Sequence, residues 1–177
     1  LWMLDLDSEL VFVGDAGGTE PSGATRRYGV EWANFYRPAS WLVLDADLAL
    51  THGRYRGAGP DDRIANSIGT VLTAGVSVPD ASGWFGSVRL RYFGRQPLIE
   101  DNAVTAPASS TVNVVLGRKL GAWEVAAEVL NAFDRANNDI AYYYTSRLPG
   151  EAADGVDDVH FHPAEPRMLR IRMSRSF

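Results

Sequence analysis

The side chains best equipped for chemistry lie in the last third of the sequence, in Asp157-Asp158-Val159-His160-Phe161-His162 and in Tyr142-Tyr143-Tyr144 followed by Arg147. Along an extended segment, alternation places the His160 and His162 imidazoles on one side of Phe161, near carboxylates, a donor set able to hold a metal ion or a polar ligand. The plainer alternative is two imidazoles hydrogen-bonding loop backbone at the head of a strand. Aromatic rings with an arginine favour recognition surfaces, so Tyr142, Tyr143, Tyr144, Arg147, His160 and His162 form a candidate ligand surface. For the tyrosines, an interfacial belt or a strand extension is the competing reading. Asp45 and Asp47 have the residue types for acid and base catalysis, yet two carboxylates on one strand face commonly line a polar surface. No serine elbow or phosphate-cradling glycine loop accompanies the histidines, so no enzyme activity, resident metal or cofactor is expected.

These residues sit in a 177-residue chain with a net charge of −5 and no cysteine. The length suits one unit, 1–177, without a second domain. The charge offers no basic footprint, so no nucleic-acid partner is expected. Lack of cysteine excludes disulfide scaffolds and thiolate metal sites. No run approaches the ~18 apolar residues of a transmembrane helix, and Leu1 and Trp2 already belong to an alternating segment, not to a signal peptide. The chain is expected to be a mature piece or a fragment of something longer.

Hydrophobic alternation at period two recurs along the chain in eight segments. Trp2, Leu4, Leu6, Leu10 and Phe12 oppose Asp5, Asp7 and Glu9. Tyr28, Val30, Trp32 and Tyr36 oppose Arg27 and Glu31. Leu42, Leu44, Ala46, Leu48 and Leu50 oppose Asp45, Asp47 and Thr51, and Leu72, Ala74, Val76 and Val78 oppose Thr73, Gly75 and Ser77. Trp84, Val88, Leu90 and Tyr92 oppose Ser87, Arg89 and Arg91; Val112, Val114 and Leu116 form a sixth segment. Trp123, Val125, Ala127 and Val129 oppose Glu124 and Glu128, and in the last segment Leu169, Ile171, Met173 and Phe177 oppose Arg170 and Arg172. Such strands, ~10 residues long and tilted, cross a hydrocarbon layer.

The connections alternate in length. Short ones run over 37–40, 79–83 and 118–122, and long ones over 14–25, 56–67, 94–109 and 134–167. Short turns on one rim and long loops on the other are the pattern of an outer-membrane barrel with its long loops outside the cell. Aromatics collect accordingly: Trp2, Tyr36, Trp84, Trp123 and Phe177 fall at one interface and Phe12, Tyr28 and Tyr92 at the other, while Trp41 breaks the phase, falling on the polar face of the third segment or in the turn before it. A soluble sandwich or lipocalin-like barrel would use the same alternation with its apolar face turned inward.

Tyr28-Gly29-Val30-Glu31, Arg91-Tyr92-Phe93-Gly94, Glu128 to Arg135 with its Asn131-Ala132-Phe133-Asp134 core, and the closing strand ending on Phe177 together resemble the C-terminal end of TonB-dependent outer-membrane receptors. The resemblance covers essentially the whole chain. It implies an all-β, antiparallel transmembrane β-barrel of 22 strands, of which about eight are here, around a plug. It also implies import of a scarce nutrient such as a metal chelate across the outer membrane of a Gram-negative bacterium, energised by TonB through the plug. The implied partners are outer-membrane lipid, the remaining strands and plug, TonB, and the barrel-assembly machinery, which would read Leu169, Ile171, Met173 and Phe177. Arg175 departs from that signal, since the family usually has an apolar or aromatic residue there.

Eight strands alone leave two open edges, costly in lipid, so they must pair with further strands or with each other. Self-closure into a small eight-stranded barrel with a structural or adhesive role is the alternative, with Arg170 and Arg172 facing Asp5, Asp7 and Glu9.

Overall fold

Residues 1–13, 18–57 and 59–177 are described by the computed structural model. Alternating segments broken by two-residue turns become long strands, and all fourteen elements are β: β1 (Trp2–Leu6), β2 (Leu10–Val13), β3 (Gly18–Pro21), β4 (Thr25–Ala39), β5 (Leu42–Tyr55), β6 (Thr70–Ala81), β7 (Trp84–Phe93), β8 (Gln96–Pro97), β9 (Thr105–Ala106), β10 (Ser109–Leu120), β11 (Trp123–Leu130), β12 (Asn138–Ser146), β13 (Val156–Pro163) and β14 (Met168–Arg175). Eight form one antiparallel meander in the order β1-β4-β5-β6-β7-β10-β11-β14. They correspond to the eight alternating segments, the first of which continues into β2. The other six strands make three small hairpins, β2–β3, β8–β9 and β12–β13, each within a long connection.

The short connections are tighter than the sequence suggests, because the strands run on to the turn itself. Ser82 and Gly83 both have positive φ, at 56° and 85°, the type I′ geometry that matches strand twist. At Gly121-Ala122 only the glycine does, at 61°, which is the II′ pattern. Asp80 secures the first of these turns by accepting from the Gly83 N–H at 2.9 Å and pairing with Lys119 on β10.

Cross-strand partners share a face, so the register sorts the sheet into two surfaces. Val30, Leu50, Leu48, Leu72, Leu90, Val88, Val114, Val129, Leu169 and Ile171 lie on one; Glu31, Asp45, Asp47, Thr73, Arg89, Arg91, Glu128 and Arg170 lie on the other. The apolar surface is uncovered: Val88 is 47% exposed, Leu116 58% and Ile171 64%. Among the described residues the buried apolar side chains are Val43, Ile64, Leu98, Ala106, Ala126 and Ala141, and none comes from that surface. A soluble sandwich or lipocalin would bury its apolar face as the core, so this sheet does not fit that reading.

Two expectations need correction, and both concern the first strand. Trp2, Leu4 and Leu6 pair with Gly29, Arg27 and Thr25 on the polar surface, while Met3 and Asp5 pair with Tyr28 and Arg26 on the apolar one. The cause is packing: the Trp2 ring lies against Gly29, 3.0 Å from where a Cβ would stand, and Asp5 meets Arg26 at 2.8 Å. Leu4 and Leu6 therefore do not belong to the apolar surface. Trp2 is also remote from the short-turn rim, since Gly29 lies ten residues from Ala39, about 33 Å of strand. Trp41, by contrast, sits in the two-residue turn between β4 and β5. It joins Tyr36, Trp84 and Trp123 at the short-turn rim, which removes the apparent break of phase. At the other rim Tyr28 and Tyr92 lie on the apolar surface; the Phe12 side chain lies outside the described residues.

Candidate functional site

The polar surface carries a series of ion pairs between strands. Arg89 on β7 reaches Asp45 across β6 at 3.1 Å, over Gly75, whose Cβ would stand 2.6 Å from a carboxylate oxygen. On the last pair of strands, Arg170 meets Glu128 at 3.5 Å and Arg172 meets Glu124 at 3.6 Å. Thr73 donates to Asp47 at 3.3 Å, and Arg91 lies over the Phe93 ring at 5.4 Å. The arginines are more than half exposed, so each pair contributes at most about 1 kcal/mol. Their effect is to neutralise a wet wall. The arginines that self-closure would set against Asp5, Asp7 and Glu9 are occupied here by Glu128 and Glu124; the three carboxylates pair instead with Arg26, Arg56 and Arg27.

Above the wall the long connections fold onto one another. Leu98 beside β8, Ala106 on β9 and Ala141 on β12 form a small apolar core joined by Val104, Tyr143 and Val159. This core holds the β12–β13 hairpin against the preceding loop and gives the hairpin two distinct faces. Ala141, Tyr143, Val159 and Phe161 share one face, with Tyr143 in the loop core. Ile140, Tyr142, Tyr144, Asp158, His160 and His162 share the other. The Tyr144 and His160 rings stack there at 4.0 Å with 22° between planes, and the His160 Nε2 lies 3.3 Å from the Tyr144 carbonyl. His162 Nδ1 is 3.8 Å from Asp139.

Of the sequence-derived surface, then, Tyr142, Tyr144, His160 and His162 come together. Tyr143 faces the opposite way, and Arg147 sits beyond the strand end, its Nε donating to the Glu151 carbonyl at 3.4 Å. No group of three or more His, Asp or Glu side chains suited to a metal occurs among the described residues. A recess of about 210 Å³ opens between the loops after β5 and β7, with Arg63, Arg95, Ser67, Asn102 and Ile68 in its lining.

Sequence reasoning passed over the clasp at the base of this crown. Asn131 is 4% exposed with a φ of 47°, and its side chain donates to the carbonyls of Arg135 and Glu165 and accepts from the Arg135 N–H. Its own N–H is taken by the Asn113 side chain. Asp134, also at positive φ, accepts from the Arg167 N–H at 2.9 Å. Asn137 presents its amide to both backbone groups of Ser110, extending the ladder of β10 where β11 has ended. Asn131-Ala132-Phe133-Asp134, the most specific motif in the sequence, is thus the device that gathers both ends of the last long loop. The signal was present, since Asn and Asp are the non-glycine residues most at ease in the left-handed region.

No family model and no curated protein matches this sequence. Solved structures do. The ferric yersiniabactin uptake receptor FyuA from Yersinia pestis aligns with a TM-score of 0.67 at 17% identity, over 88% of this chain and 24% of its own. The ferric-catecholate import receptor Fiu from E. coli K12, in its closed form, gives 0.69 at 15% identity, over 97% and 23%. The ferric citrate transporter FecA gives 0.65 at 18% identity, over 87% and 24%. The chain spans about a quarter of the length of these relatives. Its eight-stranded meander, ion-paired polar wall and uncovered apolar face have the fold of a section of the β-barrel of TonB-dependent receptors.

Proposed function

We propose that this chain forms part of the barrel wall and extracellular loops of a transporter in the outer membrane of a Gram-negative bacterium, importing a scarce nutrient such as a metal chelate. The observation that carries this reading is the pairing of surfaces: an uncovered apolar face suited to lipid, and an ion-paired polar face suited to a wet lumen, on a fold shared with uptake receptors. Further barrel strands and a plug complete the wall in this reading, and TonB supplies energy through the plug. The alternative of a self-contained small barrel needs β1 to pair with β14. Among the described residues the sheet ends at those two strands, which favours continuation by other strands.

Tyr142, Tyr144, His160 and His162 form one face of the proposed ligand surface, with Tyr143 bracing it from behind and Arg147 at its tip. Replacing residues 138–163 by a short turn is expected to abolish cargo uptake by the protein while the barrel still assembles, as judged by heat-modifiable mobility. Undiminished uptake would overturn the assignment of cargo contact to this hairpin. For assembly, Leu169, Ile171 and Met173 present an exposed apolar row on the edge strand β14, and Phe177 is the proposed final element of the signal. Deleting Phe177 is expected to lower the amount of folded protein in the outer membrane, and normal insertion would show that the residue is no such signal.

A further inference from the structure

The apolar surface is interrupted by a groove of about 370 Å³ centred on Gly86, with Val76, Val78, Val88, Leu116 and Trp84 in its walls. Gly86 pairs with Val78 on one side and Leu116 on the other and brings no side chain into the groove; a Cβ there would stand 2.5 Å from the Val115 carbonyl oxygen. Two residues further down β7, about 7 Å toward the short-turn rim, the groove reaches Trp84. Over that ring lies the Arg118 guanidinium, 4.9 Å from its centroid.

Arg118 differs from the arginines of the polar wall. Arg89, Arg170 and Arg172 each face a carboxylate, whereas no carboxylate partner is found for Arg118 among the described residues. The arrangement recurs two strands away, where Arg175 lies 5.3 Å from the Trp123 ring and 5.1 Å from that of Phe177, again with no carboxylate partner among the described residues. An aromatic ring orients a guanidinium without neutralising it, leaving its N–H donors for an anion from outside the chain. On a lipid-facing surface at the aromatic rim, the anion at hand is a headgroup phosphate.

We propose that the Gly86 groove and Arg118 form a site for one phospholipid of the periplasmic leaflet, its acyl chain in the groove and its phosphate on the guanidinium. The site rests on the reading of the apolar face as lipid-facing. The test is native mass spectrometry of the protein extracted from outer membranes, with mixed phosphatidylethanolamine and phosphatidylglycerol as the probe lipids. Arg118→Gln is expected to reduce occupancy by retained phospholipid about fivefold, the effect of removing one cation near an anionic lipid surface. Val88→Trp, which fills the groove and keeps the charge, is expected to reduce it as well, and Arg89→Gln on the polar face is expected to leave it unchanged. Equal retention in Arg118→Gln and wild type overturns the site. Quenching of tryptophan fluorescence by brominated acyl chains separates the two readings: quenching with unchanged retention removes only the site, and absence of quenching removes the lipid-facing assignment with it.

Discussion

Leu48→Arg is expected to destabilise the barrel by about 2–4 kcal/mol, whereas Asp47→Asn next to it should change stability little. Leu48 lies mid-strand in β5 on the apolar surface, between Trp32 on β4 and Leu72 on β6. An arginine there has no water and no carboxylate in register, and from mid-strand its head must stretch far along the wall to reach an interface. Asp47 points to the polar surface, where it accepts a hydrogen bond from the Thr73 hydroxyl that an amide oxygen can also accept, so an amide preserves most of its environment. The comparison is read from urea titrations of both variants folded into lipid vesicles. Equal costs would mean that the two faces are assigned the wrong way round.

Asn131→Ala is expected to cost about 3–5 kcal/mol: three side-chain hydrogen bonds are lost at a buried site, and a residue with a Cβ but no local hydrogen bond is left in the left-handed region. Asn131→Gly relieves the backbone strain without restoring the bonds, so its loss should be smaller than that of alanine and larger than zero. Limited proteolysis provides a local readout, because the base of the 131–167 connection should open before the sheet does. If alanine leaves both the denaturation midpoint and the cleavage pattern unchanged, the clasp does not hold the crown.

The strands and the identity of both surfaces from β4 to β14 could be read directly, because a period of two is a local property that each segment carries by itself. The first strand could not. Trp2, Met3 and Leu4 are all large and apolar, so either phase of the alternation is acceptable, and a slip of one residue exchanges the faces. Only a partner resolves such a choice, here the gap at Gly29 that admits the Trp2 ring. Trp41 stayed undecided between a strand face and the turn for a related reason: the turn occupies two residues, and its position emerges only when Ala39 is seen to pair with Leu42.

The loop crown was the least legible part. The 134–167 connection reads as one long loop by composition, yet it contains the β12–β13 hairpin, held by Leu98, Ala106 and Val104 from a loop about forty residues earlier. Contacts of that sequence separation leave no periodic trace. Alternation put His160 and His162 on one side correctly, but which tyrosine joins them depends on hairpin register, which turns Tyr142 and Tyr144 toward the imidazoles and Tyr143 away.

By itself, the sequence determined that this protein is a run of antiparallel strands with one apolar and one polar face, short turns at one end and long loops at the other. Each of these follows from residue order within a strand or turn. The tertiary structure decided what depends on neighbours: the phase of the edge strand, the pairing of Arg89, Arg170 and Arg172 with their carboxylates, the exposure of two rim arginines without one among the described residues, and the clasp formed by Asn131 and Asp134. Those are properties of strand register and loop closure, which bring together residues far apart in sequence, such as Arg89 with Asp45, forty-four positions away, and Arg56 with Asp7, forty-nine.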